Sequence, residues 1–494
     1  MITLLISLAA LVLGYLIYGA FVEKVFESDH TRTTPAYSKQ DGMDYIPMPA
    51  WKVFMIQLLN IAGTGPIFGA IAGAMFGPSA YIWIVLGCIF AGATHDYLSG
   101  MLSLRHDGAG LPDLVGIYLG KKTKNVMLAF SVLLLLMVGA VFVYSPAKIL
   151  GNMCGGAQNI TMIWVGIVLV YYIVATMVPI DKIIGKIYPA FAIALIFMAV
   201  SLLACLIIKW PSDTPEIWDG IQNMNPKAGS LFPCLFITIA CGAISGFHAT
   251  QSPLMARCLK NEKLGRPIFY GSMITEGAIA LIWATVSSYY FYGGGIEALG
   301  DAAINPATGK AFTDAPSIVT AVCKSWLGVF GSLLAILGVV AAPITSGDTA
   351  LRSARLIVAD AVGLDQKPIR NRLTICVPIF IVTAALLWFS IADESGFNIL
   401  WRYFGWANQS LSVFTLWALT VFLSRLHVTK KRPYYMVTLF PAALMTSVSG
   451  TFILTAKIGF NLPQGLIPYL GTGLFTVSLM LFYWWKIKKG DNCR

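Results

Sequence analysis

Charge is what this sequence has least of. Only 12% of its 494 residues are Asp, Glu, Lys or Arg, while 57% are apolar. A soluble chain carries about 25% charged residues, so the deficit excludes an ordinary soluble domain. Paired cysteine motifs are also missing. The nine cysteines contain no C-x-x-C pair, and Cys88, Cys205, Cys234, Cys241 and Cys376 lie in apolar runs. They read as small hydrophobes, not as a disulfide or metal framework. Catalytic motifs are missing as well. There is no H-E-x-x-H, no Walker A sequence, and no Ser-Gly pair preceded by glycine two residues earlier. A metallohydrolase, an ATP-driven pump and a serine hydrolase each lack their signature. Low-complexity segments and soluble repeats are absent too.

What the sequence has is long hydrophobic runs. Thirteen reach or approach the roughly 20 residues that cross a hydrocarbon core, at about 2–20, 52–77, 79–104, 125–144, 161–178, 187–209, 231–249, 268–291, 318–346, 373–391, 397–424, 433–457 and 464–487. A β-barrel would show short alternating segments instead. The pattern predicts an all-α polytopic membrane protein. The first run has no cation before Lys24 and no small-residue cleavage site, so it is expected to stay as a helix.

The few charges are sorted. With the C-terminus cytoplasmic and the runs alternating, 27 of the 34 cations fall on the inner side. The outer segments hold the acids Asp213, Glu216, Asp219, Glu297, Asp301, Asp314, Asp393 and Glu394. Cation-rich loops face the cytoplasm, which puts the N-terminus outside. The same sorting explains the net charge of +11 without a nucleic-acid partner; the bilayer is the expected partner.

Two runs are broken. "NIAGTGPIFGAIAGAMFGPSA", residues 60–80, carries five glycines and two prolines, the poorest helix formers. "ACGAISGFHATQSP", residues 240–253, combines Gly242, Gly246 and Pro253 with polar side chains. Irregular backbone at membrane depth survives where it lines an enclosed cavity. The second break lies five runs after the first, as in transporters built from inverted repeats of five helices. The expected organisation is a first helix and inner loop (1–51), a five-helix repeat (52–209), a second repeat (231–424), and two additional helices with an inner tail (433–494). A passive channel would keep polar cavity residues but does not call for paired breaks.

The polar residues at depth give the candidate site. Glu276 has no cation within a helical turn, so it must find a partner on another helix or carry a proton. Asp96, beside His95, and His248, at the second break, are further candidates for ion coupling or substrate contact. Asn60 lies three residues after Gln57 on one face leading into the first break. Asn408 and Gln409 read as glue between helices. Thr345 and Asp348 fit a capping box that starts a new helix, and Arg352 and Arg355 are placed at headgroups or in a gate pair. Few cations are expected at depth. Half-helix N-termini after Gly65 and Gly246 are therefore expected to hold a substrate carboxylate, with Asn60, Gly63, Thr64 and His248 around it.

The stretches "AGTGPIFGAIAG", "GATHDYLSG", "SGFHA", "TSGDTALRSARLIVAD" and "FGWANQSLS" resemble the carbon starvation protein A (CstA) family, from about residue 45 to 425. Gly69-Ala70 departs from the second Gly-Pro usual in the first motif. The resemblance implies a LeuT-like fold related to amino acid–polyamine–organocation transporters. It also implies a bacterial inner membrane, peptide import under carbon starvation, and pyruvate as the alternative substrate. In that fold the helix ending in "APITSGD" packs on the first broken helix. Backbone at Ala62 and Gly63 with the hydroxyls of Thr345 and Ser346 would then form a Na⁺ site. The coupling ion is expected to be H⁺ or Na⁺, with Glu276, Asp96 and Asp348 as further coupling residues, and no other cofactor.

Overall fold

The computed structural model describes residues 1–154, 158–177, 184–306, 308–366, 368–392, 396–427 and 432–490. Asp393 and Glu394 of the outer acid set lie outside the described residues. The described chain is helical, with a single isolated β-bridge between Ile304 and Ala311. Eleven described helices are long and apolar enough to cross a membrane, or twelve if one bent pair counts as a span.

In chain order these are α1 (Ile2–Phe26), the bent pair α2 (Ala50–Ile61) and α3 (Gly65–Ala74), and α4 (Ser79–Arg105). A short helix α5 (Leu111–Leu119) follows. Then come α6 (Lys121–Met153), α7 (Gln158–Met177) and α8 (Ile184–Lys209). The second interrupted region is α9 (231–238) and α10 (His248–Ala256). It is followed by α11 (Glu262–Tyr292), α12 (Ala315–Val362), α13 (Ile369–Ala392), α14 (Gly396–Leu426), α15 (Met436–Thr455) and α16 (Ile467–Gly490).

Both interruptions expected from the sequence exist. The axis bends by 53° between α2 and α3. Between α9 and α10, residues 239–247 are not helical, and Gly242 takes φ +88°, a conformation open chiefly to glycine. The break begins and ends earlier than the expected 240–253, because Pro253 sits inside α10.

The ninth run departs further from expectation. Instead of stopping near 346, α12 continues to Val362, where Gly363 in the left-handed region ends it. Its real discontinuity is Gly328, with φ +64° and ψ −169°. Just beyond, Val329 is 92% exposed and Phe330 74%, the lipid-facing start of the span. Thr345 and Asp348 therefore lie in mid-helix, and the capping box is a misreading. Pro343 lies inside the helix, and neighbouring hydroxyls hydrogen-bond the carbonyls around it. Tyr172 Oη donates to Pro343 O at 3.0 Å, and Thr345 Oγ1 donates to Ala341 O and Ala342 O, each at 2.9 Å.

The loops gather at two ends. At one, Arg105 bonds Glu27 O and pairs with Glu262, Asn261 bonds His30 O, His427 meets Val25 O, and Arg372 reaches Met177 O. At the other, Ile217 meets Thr3, Met224 meets Phe76, Tyr292 meets Met75, and Tyr403 meets Ile458. The first end includes the cation-rich loops that carry Arg105, Arg372 and Asn261 with its neighbours Lys260 and Lys263.

Candidate functional site

The two breaks touch. A Cβ placed on Gly65 would lie 2.3 Å from Cys241 Sγ, and one on Gly69 2.9 Å from Thr238 O. Neither position has room for a side chain, because Gly65 packs on the Cys241 side chain and Gly69 on the Thr238 carbonyl. Gly242 is confined in the same way: its Cβ would meet that of Ala280 at 2.6 Å. On the far side, Gly246 N donates to Asn408 O at 3.2 Å. Asn408 Oδ1 accepts from Ser245 Oγ at 3.0 Å and Phe247 N at 2.7 Å. The amide thus replaces the helical hydrogen bonds that the break gives up. Asn408 is glue, as expected, but glue for the break itself.

Behind the second break lies a buried polar chain. His95 Nδ1 and Asp96 Oδ1 are 2.8 Å apart. The other oxygen, Asp96 Oδ2, is 2.8 Å from His248 Nδ1, and His248 Nε2 is 3.5 Å from Glu276 Oε2. All four side chains are fully buried. They come from α4, the start of α10 and α11, so three elements meet at His248. The partner that Glu276 needed is this histidine. Neither Glu276 oxygen makes a hydrogen bond, nor does His248 Nε2. Cys241, His248 and Glu276 also place one donor atom each within 4.8 Å of one another, a set that could gather round a metal ion. His248 thus stands between two carboxylates, hydrogen-bonded to Asp96 and within ion-pair distance of Glu276.

The expected sodium residues are only half assembled. Ser346 Oγ donates to Leu59 O at 2.7 Å and would lie 3.3 Å from a Cβ on Gly63, so it does reach the first break. Thr345 is turned to carbonyls of its own helix. Asp348 belongs to another group: Tyr171 Oη donates to its Oδ2 at 2.8 Å, and Tyr188 Oη donates to Thr345 O at 3.0 Å. Asn60 and Thr64 are fully buried with side chains that make no hydrogen bond, as is Gln57. Such orphaned amides are costly unless water or a ligand satisfies them.

Two features were missed or misjudged. Arg352 and Arg355 do not face headgroups; both are fully buried. They approach Asp44, on the loop before α2, at 3.5 and 3.9 Å, and Arg352 Nη2 donates to Ala175 O at 2.7 Å. The second feature is a cavity of about 890 Å³ leading from the end opposite the cation-rich loops down to Gly65 and Cys241. It lies between α3, the 223–230 loop, the start of α14 and the α15–α16 turn. Loop residues far apart in sequence build it, so no local pattern announces it.

The discontinuous helix pair meeting at a cavity floor lies within a polytopic helical membrane protein. The chain belongs to the family of carbon starvation protein CstA, whose model matches residues 1–208, 158–324 and 296–452. An uncharacterised membrane protein of Haemophilus influenzae is 46% identical over 57% of this chain and 89% of its own length. The peptide transporter CstA of Campylobacter jejuni is 28% identical over 92% of this chain and 79% of its own. The pyruvate/proton symporter BtsT of Escherichia coli is 26% identical over 57% of this chain and 48% of its own. In fold the chain is similar to a Na⁺-coupled sialic acid symporter in a substrate-bound outward-open state (TM-score 0.53, 14% identity, 96% of each chain). It is also similar to a manganese transporter of Eremococcus coleocola (TM-score 0.53, 12% identity, 91% of this chain and 99% of that one). The named relatives and fold neighbours are transporters, not enzymes.

Proposed function

We propose that this protein is an ion-coupled secondary transporter that imports peptides across the bacterial inner membrane during carbon starvation. The observation that carries the reading is the buried chain Asp96–His248–Glu276, set against the break that floors the cavity. An acid–imidazole–acid relay joining three elements can hold or pass a proton, and its geometry depends on how those elements sit. Asn60, Gly63, Thr64, Gly65, Gly246 and His248 contact substrate in this proposal. Glu276 and Asp96 couple the ion, with Ala62 and Ser346 as the sodium alternative and Thr345 and Asp348 supporting them.

The wider architecture belongs to the same proposal. Thirteen crossings form two inverted repeats of five, 52–209 and 231–424, plus a first helix and two last ones. The N-terminus and the cavity mouth face outward and the C-terminus faces the cytoplasm. The reading rests on two broken elements five runs apart and on the sorting of loops by charge.

Peptide is favoured over pyruvate by size, since about 890 Å³ is at the upper end of ligand pockets. Pyruvate is the second reading, favoured by the relative named as a pyruvate/proton symporter. The reconstituted full chain should take up a labelled dipeptide saturably, with excess pyruvate competing weakly. Pyruvate uptake that dipeptides leave unchanged would give the second reading, and uptake of neither would overturn both.

A further inference from the structure

We infer that the cavity mouth is an anion-selective filter, so that the transported substrates are those with net negative charge. This rests on the transport reading and names its substrate class. The lining brings together Lys227, Arg402 and Lys457. They come from three separate segments: a turn in the 223–230 loop, the first turns of α14, and the residue just after Ala456 beyond α15. No Asp or Glu is among the described residues that line the cavity.

This is the reverse of what the surrounding face offers. The positive-inside alternation leaves only seven cations off the cation-rich side, and three of them converge here. The acids of that face, such as Glu216, Asp219 and Asp314, are engaged elsewhere. Glu216 accepts from the backbone of Thr3, Asp219 from that of Glu216, and Asp314 pairs with Lys148. None of Lys227, Arg402 and Lys457 has a carboxylate within ion-pair distance among the described residues. Three cations with no described carboxylate partner, around a funnel with largely apolar walls, focus field lines and raise the local concentration of anions. The walls below are aromatic and apolar, including Trp401, Phe404 and Phe452, so the charge is read at the rim and the body of the ligand deeper down.

The test compares glutamyl-alanine, alanyl-alanine and lysyl-alanine as probes. It uses equilibrium binding to the detergent-purified full chain and competition for uptake in proteoliposomes. The acidic dipeptide should bind roughly tenfold more tightly than the lysyl one at low ionic strength, with the difference shrinking as salt screens it. Arg402→Gln and Lys457→Gln should each narrow that gap by raising the KM for the acidic dipeptide, with kcat unchanged and the alanyl-alanine KM within a factor of about two. Because both side chains are exposed, either variant should fold as the parent does. Equal binding of the acidic and basic probes would overturn the filter, as would variants that weaken all probes alike or no binding of any probe. Binding that follows charge with no accumulation in liposomes would instead keep the filter and sink the transport reading.

Discussion

At the residue scale, His248 is the pivot. Its two nitrogens face two carboxylates on different helices, so each carboxylate can be tested separately. Glu276→Gln should abolish proton-driven accumulation while leaving counterflow exchange, which needs no net proton movement. Loss of both, with loss of folded protein, would make Glu276 a structural clasp. For sodium the geometry is unequal. Ser346 reaches the first break and Thr345 does not. If Na⁺ is coupled, Ser346→Ala should raise the sodium requirement of uptake more than Thr345→Ala, with affinity recovering at high Na⁺. Uptake that ignores Na⁺ in the parent would remove sodium from the account. Much of this site was legible residue by residue. Glu276, His248 and Asp96 stood out because ionisable groups at depth are costly and need a reason. That they form one chain was not legible, because sequence positions 96, 248 and 276 carry no sign of sharing a point in space.

At the element scale, the breaks are held by close backbone approach and by borrowed hydrogen bonds. Gly65→Ala should destabilise the protein by about 1–3 kcal/mol through overpacking and stop uptake. Adding Cys241→Gly, which removes the atoms 2.3 Å from the new methyl, should restore part of both. No rescue in thermal unfolding would mean that the two breaks do not bear on each other. Asn408→Ala should cost about 1–3 kcal/mol, because the buried Phe247 N–H loses its acceptor. The helix runs themselves were readable from hydropathy, and the breaks from glycine and proline. The full length of α12 was not. Polar residues after 345 look like a helix leaving the membrane, yet Asp348, Arg352 and Arg355 are buried against Tyr171 and Asp44. Hydropathy cannot tell a polar face turned to water from one satisfied inside the protein. Helix α5 was missed for the opposite reason: its nine residues are too few to register as a run.

At the scale of the whole molecule, loops at one end close over α12 while the other end opens into the cavity. Asp44 pairs with Arg352 and Arg355 at the cation-rich end, and Gly65 with Cys241 floors the cavity that opens at the other. The family was visible in the motif strings, since they are spread along the chain. The cavity was not, being made by the meeting of distant loops. The central claim is that an ion gradient drives a peptide through this path by way of the Asp96–His248–Glu276 chain. The most direct measurement is the accumulation of a labelled acidic dipeptide in proteoliposomes of the parent chain, with pH and Na⁺ gradients imposed separately. The account predicts uptake above equilibrium under the inward proton gradient, collapsed by a protonophore and absent in Glu276→Gln. Accumulation that never exceeds equilibrium under either gradient, or that is as large in Glu276→Gln as in the parent, would contradict it.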